Sequence, residues 1–144
     1  MIYTIYSAQE MEDFAFSFAA NVQAGDVLCL AGDLGAGKTV FTRGLVRGLH
    51  CGESVTSPTF ALMHIYEGGR LPVYHYDLYR LNGAYDLESV GCEEYFSAGG
   101  VCILEWPERA NNIVPANATW ITIKADYEKG ENYREVSIHE NTGN

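Results

Sequence analysis

The sequence predicts an α/β fold, a central sheet flanked by helices with an added antiparallel hairpin region. Three observations predict it. Val27-Leu28-Cys29-Leu30-Ala31 and Val101-Cys102-Ile103-Leu104 are short, wholly apolar runs, the form of strands buried on both faces of a parallel sheet. Directly after the first run, Gly32-Asp33-Leu34-Gly35-Ala36-Gly37-Lys38-Thr39 satisfies the phosphate-loop pattern G-x-x-x-x-G-K-[ST] at every fixed position. Near the C-terminus, Trp120 to Ala125 and Tyr133 to Ile138 alternate around Lys129-Gly130, as the arms of a closing hairpin do.

Taken in order, Ile2 to Tyr6 reads as a strand. Ser7-Ala8-Gln9-Glu10 is a capping box, whose hydroxyl and carboxylate each satisfy a free N–H at a helix start. Met11, Phe14, Ala15, Phe18 and Val22 follow at helical spacing, and Gly25 ends the segment. The strand Val27 to Ala31 leads into the phosphate loop, and Val40, Phe41, Leu45, Val46 and Leu49 form the apolar face of the helix behind it. Strand, loop and helix is the arrangement of a P-loop NTPase-like sheet. Ser54 to Thr59 reads as a polar loop, and Phe60 to Tyr66 with Leu71 to Tyr76 as a hairpin around Gly68-Gly69. Asp86 to Phe96 is expected to be helical. Residues 1–140 are read as a single domain and 141–144 as a disordered tail.

The loop carries a definite chemistry. A chain of this length meets the pattern by chance about once in 200, and the flanking strand and helix lower that further. Glycines let the loop curl and turn backbone N–H groups onto phosphate, and the helix start adds its own unpaired N–H groups and dipole. On this pattern Leu34, Gly35, Ala36, Gly37, Lys38, Thr39 and Val40 contact nucleotide, Lys38 reaches the β- and γ-phosphates, and the Thr39 hydroxyl ligates Mg²⁺. Hydrolysis needs carboxylates as well, placed at the C-terminal ends of strands near the loop. Glu105 ends the apolar run Val101 to Leu104 in the manner of a Walker B strand. Asp77 follows Pro72-Val73-Tyr74-His75-Tyr76, where a helix cap or surface carboxylate is an equally good account. Thr56-Ser57-Pro58-Thr59 stands where GTPases carry a switch segment, or is an ordinary turn. His75 reads as a strand residue, and Trp106 as a residue that stacks on a base or a partner or, more commonly for Trp, as a core aromatic.

Composition narrows the classes. The net charge is −10, with nine basic residues spread along the chain, so no basic stripe speaks for direct RNA or DNA binding. No apolar run approaches the roughly 20 residues of a membrane span, and no signal peptide is evident, so a cytosolic protein is expected. The four cysteines form no C-x-x-C pair and are expected as free thiols. Ile123-Lys124-Ala125-Asp126 has Ile where the guanine motif [NT]-K-x-D needs Asn or Thr, which favours ATP. Arg70, Arg80 and Arg109 do not cluster into the basic lid of a small-molecule kinase.

Four blocks then resemble a known family. The phosphate loop, Ser57-Pro58-Thr59-Phe60, His75-Tyr76-Asp77-Leu78-Tyr79-Arg80-Leu81 and Glu105-Trp106-Pro107-Glu108-Arg109 are similar, in order and spacing, to the bacterial TsaE (YjeE) family. The resemblance covers nearly the whole chain. It implies an ATPase that uses ATP and Mg²⁺ to support synthesis of the threonylcarbamoyl modification on the tRNA adenosine beside the anticodon. It further implies partnership with a TsaB–TsaD complex, which carries the transfer chemistry. Within the resemblance Lys38 contacts phosphates, Thr39 and Glu105 are Mg²⁺ ligands, and Asp77 is a further metal or water-positioning carboxylate. Thr59 approaches the γ-phosphate, and Ser7-Ala8 lies near the adenine. A small-molecule kinase and a nucleotide-gated adaptor that dispenses with hydrolysis are the alternative activities for such a loop.

Overall fold

Strands β1 (Ile2–Ile5), β2 (Val27–Ala31), β3 (Ser54–Thr56), β4 (Met63–Tyr66), β5 (Val73–Asp77), β6 (Val101–Glu105), β7 (Thr119–Ala125) and β8 (Arg134–Glu140) alternate with helices α1 (Ala8–Phe18), α2 (Lys38–Gly48) and the short α3 (Cys92–Tyr95). The computed structural model describes residues 1–33, 35–52, 54–56, 63–79, 92–110 and 113–140. The strands form one sheet in the order β1-β8-β7-β2-β6-β5-β4-β3. Its middle, β7-β2-β6-β5, is parallel, and antiparallel pairs extend it on either side.

The two apolar runs occupy the centre because each buries both of its faces. Leu28, Leu30, Val101 and Ile103 point into a core with Met11, Ala15, Phe41 and Leu45 from α1 and α2. Val27, Cys29, Cys102 and Leu104 point the other way, against Met63, Tyr76, Leu78 and Ala118, with Phe96, Ile113 and Trp120 packed around them. The flanking expected from sequence thus takes an asymmetric form among the described residues. Both long helices share one face, and short segments cover the other.

The helix pair is close because α2 carries glycine where α1 crosses it. A Cβ on Gly44 would lie against the Glu12 backbone oxygen and 2.9 Å from the Ala15 Cβ. One on Gly48 would lie 2.5 Å from the Phe16 oxygen. At the start of α1 the Ser7 hydroxyl accepts the Glu10 N–H at 3.0 Å, and the Glu10 carboxylate accepts the N–H of Tyr6 at 3.4 Å. The helix stops at Phe18, earlier than its periodicity suggests. Ala19–Asn21 tightens to a 3₁₀ turn and Val22 is already extended. The Arg70 guanidinium stabilises that ending by donating to the carbonyls of Ala19 at 2.6 Å and Val22 at 2.9 Å.

Other departures have similar causes. Ser54 to Thr56 is not a loop but the edge strand β3, paired in register with Tyr66, Ile65 and His64. Val55 and Thr56 are β-branched and favour extended backbone, and the open edge of β4 supplies the hydrogen bonds that pair them. The expected hairpin is present over Met63–Tyr66 and Val73–Asp77, while 57–62, the rest of the expected loop and the start of the expected first arm, lie outside the described residues. Of the helix expected over Asp86 to Phe96, Cys92–Tyr95 is helical, and 80–91 lie outside the described residues. The terminal hairpin is no appendage: β7 pairs with β8 on one side and, in parallel, with β2 on the other.

Candidate functional site

β2 ends at Ala31 between parallel neighbours on both sides, and the chain emerges in the crevice above their C-terminal ends. Gly32 turns there with its backbone against β7; a Cβ would meet the Ile123 carbonyl oxygen at 2.6 Å. Gly35 (φ +80°) and Gly37 (φ +119°) hold the left-handed conformations that curl the loop, and Gly37 is the N-cap of α2. The loop therefore delivers its end directly to the positive terminus of an 11-residue helix.

Lys38, the first residue of that helix, is buried. Its ammonium donates to the Gly32 carbonyl at 2.7 Å and stands 3.6 Å from the centroid of the Trp106 ring. Burial pushes its pKa below the ordinary value, while Glu105, Glu108, Asp77 and Asp33 push the other way. A cation so poorly hydrated gains from any anion that can reach it.

Asp77 and Glu105 end neighbouring parallel strands as register partners. The two carboxylates that looked separate in the sequence are thus side by side. Asp77 is exposed, and its Oδ1 accepts the Tyr79 N–H at 3.1 Å. Glu105 is buried, with Oε2 2.8 Å from Nε2 of His75. Lys38, Thr39, Asp77, Glu105 and Trp106 line one cleft of about 290 Å³, together with Gly35, Gly37 and Val40. Two carboxylates and a hydroxyl are hard oxygen donors of the kind Mg²⁺ takes, and the glycine loop and lysine suit phosphate. The residues present fit a Mg²⁺–nucleotide.

Ala8 lies on the other flank of the loop. With Ser7 before α1, Met11 in it, Val40 of α2, and Asn132 and Arg134 before and in β8, it borders a pocket of about 120 Å³ against Gly35 to Gly37. Leu34 and Thr59 lie outside the described residues. Arg70 serves the end of α1 instead of the site.

Three residues carry more than their sequence context suggests. Trp106 packs against the core but is not enclosed by it. It is half-buried in a left-handed conformation (φ +60°), with its ring on Lys38 and against Tyr79 at 4.9 Å between centroids. His75 is a strand residue, as expected, but one bonded to Glu105. Arg134 was missed altogether. Its Nε donates to the Ala36 carbonyl at 2.9 Å and its Nη2 to that of Gly35 at 3.3 Å, fastening the phosphate loop from behind. Only the pairing of β8 with β7, and of β7 with β2, brings it there, and no local pattern announces it.

Among the described residues no helix is long and apolar enough to cross a membrane. The family model described as threonylcarbamoyl adenosine biosynthesis protein TsaE matches residues 5–136. The tRNA threonylcarbamoyladenosine biosynthesis protein TsaE of Bacillus subtilis is 41% identical over 130 residues, covering 90% of this chain and 79% of that one. Its counterpart in Treponema pallidum is 36% identical over 132 residues, covering 92% and 95%. The crystal structure of Bacillus subtilis YdiB superposes with a TM-score of 0.80 at 35% identity, over 98% of this chain and 85% of that one. Matched along nearly its whole length in sequence and in fold, the chain belongs to the TsaE family of threonylcarbamoyl adenosine biosynthesis proteins.

Proposed function

We propose that the chain is a Mg²⁺-dependent ATPase that serves threonylcarbamoylation of the tRNA adenosine beside the anticodon, acting with a TsaB–TsaD complex. The observation that carries this reading is the meeting of Lys38, Thr39, Asp77 and Glu105 in one cleft at the end of a phosphate loop. Lys38 leaves the Gly32 carbonyl to bind phosphate oxygens, and the α2 N-terminus shares that charge. Thr39, Asp77 and Glu105 would hold Mg²⁺, which would supply neutralisation of charge on the phosphates. Ala8 and the small pocket beside Gly35 to Gly37 receive the base; a role for Thr59 at the γ-phosphate rests on the family resemblance alone. The net charge of −10 suits a component that leaves tRNA contact to its partners.

The test is ATP turnover with and without TsaB–TsaD. Slow hydrolysis alone and faster hydrolysis with the complex are expected. Glu105→Ala lowers the stimulated rate by about 100-fold or more, the range of losses that follows removal of a group stabilising transition-state charge. Wild-type turnover by that variant refutes the assignment. Phosphate appearing on an added acceptor points instead to a kinase. Restoration of the modification in cells by a hydrolysis-dead variant points to an adaptor.

A further inference from the structure

His75 is a polar side chain spent on another residue. It lies two positions before Asp77 on β5, so both side chains project from the same side of the sheet. It is only 9% exposed, and its ring stands beside that of His64, its register partner on β4. Nε2 faces a carboxylate oxygen, so it carries the hydrogen and donates it. Nδ1 is buried with no hydrogen-bond partner among the described residues. A buried polar nitrogen without a partner costs stability, and an apolar ring of the same size would fill the space without that loss. What the imidazole supplies in return is one bond, to Oε2 of Glu105.

We propose that His75 is a positioning residue for Glu105. Its Nε2–H occupies Oε2 and pins the carboxylate, so that Glu105 offers Oε1 alone to the cleft. Glu105 would then have one carboxylate oxygen free to help hold Mg²⁺, and Asp77 would supply the second carboxylate from the adjacent strand end. Fixing a ligand's orientation lowers the entropy it loses on metal binding. Partners of this kind typically contribute 10- to 100-fold in metal affinity. The inference rests on the nucleotide–metal reading of the cleft.

The experiment measures Mn²⁺ affinity by electron paramagnetic resonance, with ADP bound and no turnover. It compares wild type with His75→Phe, His75→Gln, His75→Asn and Glu105→Ala. His75→Phe is expected to weaken Mn²⁺ binding about 10-fold. His75→Gln, whose amide nitrogen reaches as far as Nε2, retains most of the affinity, while the shorter His75→Asn does not. In a Glu105→Ala background His75→Phe has no further effect. Unchanged affinity in His75→Phe overturns the proposal. So does equal affinity in the Gln and Asn variants, a comparison that stands even if the Phe variant fails to fold. If wild type binds ADP without Mn²⁺, or neither, the reading of the cleft falls and the inference with it. If Glu105→Ala loses Mn²⁺ and His75→Phe does not, the inference alone falls.

Discussion

Gly32 shows what a single position contributes. Its neighbours in sequence explain only that the loop must turn. The Ile123 carbonyl, 2.6 Å from where a Cβ would stand, explains why no side chain fits. Gly32→Ala must push the loop off β7, and overpacking of this kind costs about 1–3 kcal/mol. We expect a lower urea midpoint with an unchanged slope, and weaker ADP binding measured by calorimetry, because the displaced backbone opens the loop whose N–H groups must converge on phosphate. A variant with wild-type stability and affinity means the loop relaxes freely. Trp106 teaches the same lesson for an aromatic. Its left-handed backbone and its place over an ammonium are properties of the end of β6, invisible in the residue type.

At the scale of elements, the pairing of α1 with α2 decides where the loop helix sits. Alanine is a better helix former than glycine by about 1 kcal/mol, so propensity alone predicts that Gly44→Ala stabilises. The contact with α1 predicts the reverse, since Ala15 and the Glu12 backbone already fill the space. Packing wins, and the variant is expected to lose about 1–2 kcal/mol in urea unfolding. The same two helices are joined by Glu12, which takes Arg43 at 2.6 Å and also Arg47. The hydrogen bond from Arg43 is the largest influence holding the Glu12 carboxyl below its ordinary value of 4.5, with the charge of Arg47 adding to it and burial opposing. A carboxyl whose pKa falls on folding stabilises the native state above its unfolded value and loses that contribution as pH drops through the folded one. Glu12→Gln should therefore be less stable than wild type by about 0.5–1 kcal/mol at pH 7. The two proteins should converge below the ordinary carboxyl range, as denaturation midpoints across pH would show.

For the whole molecule, Arg134 links the last strand to the phosphate loop. It touches the carbonyls of Ala36 and Gly35 almost a hundred residues away in sequence. Arg134→Ala leaves Lys38, Thr39, Asp77 and Glu105 intact, yet we expect ADP affinity to fall about 10-fold, the equivalent of about 1.4 kcal/mol and close to one charge-assisted hydrogen bond. Calorimetric titration checks this. Unchanged affinity with a lowered melting temperature would assign the arginine to the stability of the fold alone.

Much of this architecture was legible residue by residue. The apolar runs Val27 to Ala31 and Val101 to Leu104 could be only central strands, because each buries two faces. The glycine spacing before Lys38-Thr39 announced a loop that curls into a helix start, because few residues can take the left-handed turns it needs. The four motif blocks carried the family as well. What they could not carry was adjacency. Asp77 beside Glu105, His75 bonded to that glutamate, Trp106 on Lys38 and Arg134 beneath the loop all depend on strand order and register. A side chain's type and periodicity record the face it must bury, a local matter of hydration. Which distant partner it meets is settled by how the strands share one sheet, and no short window of sequence contains that.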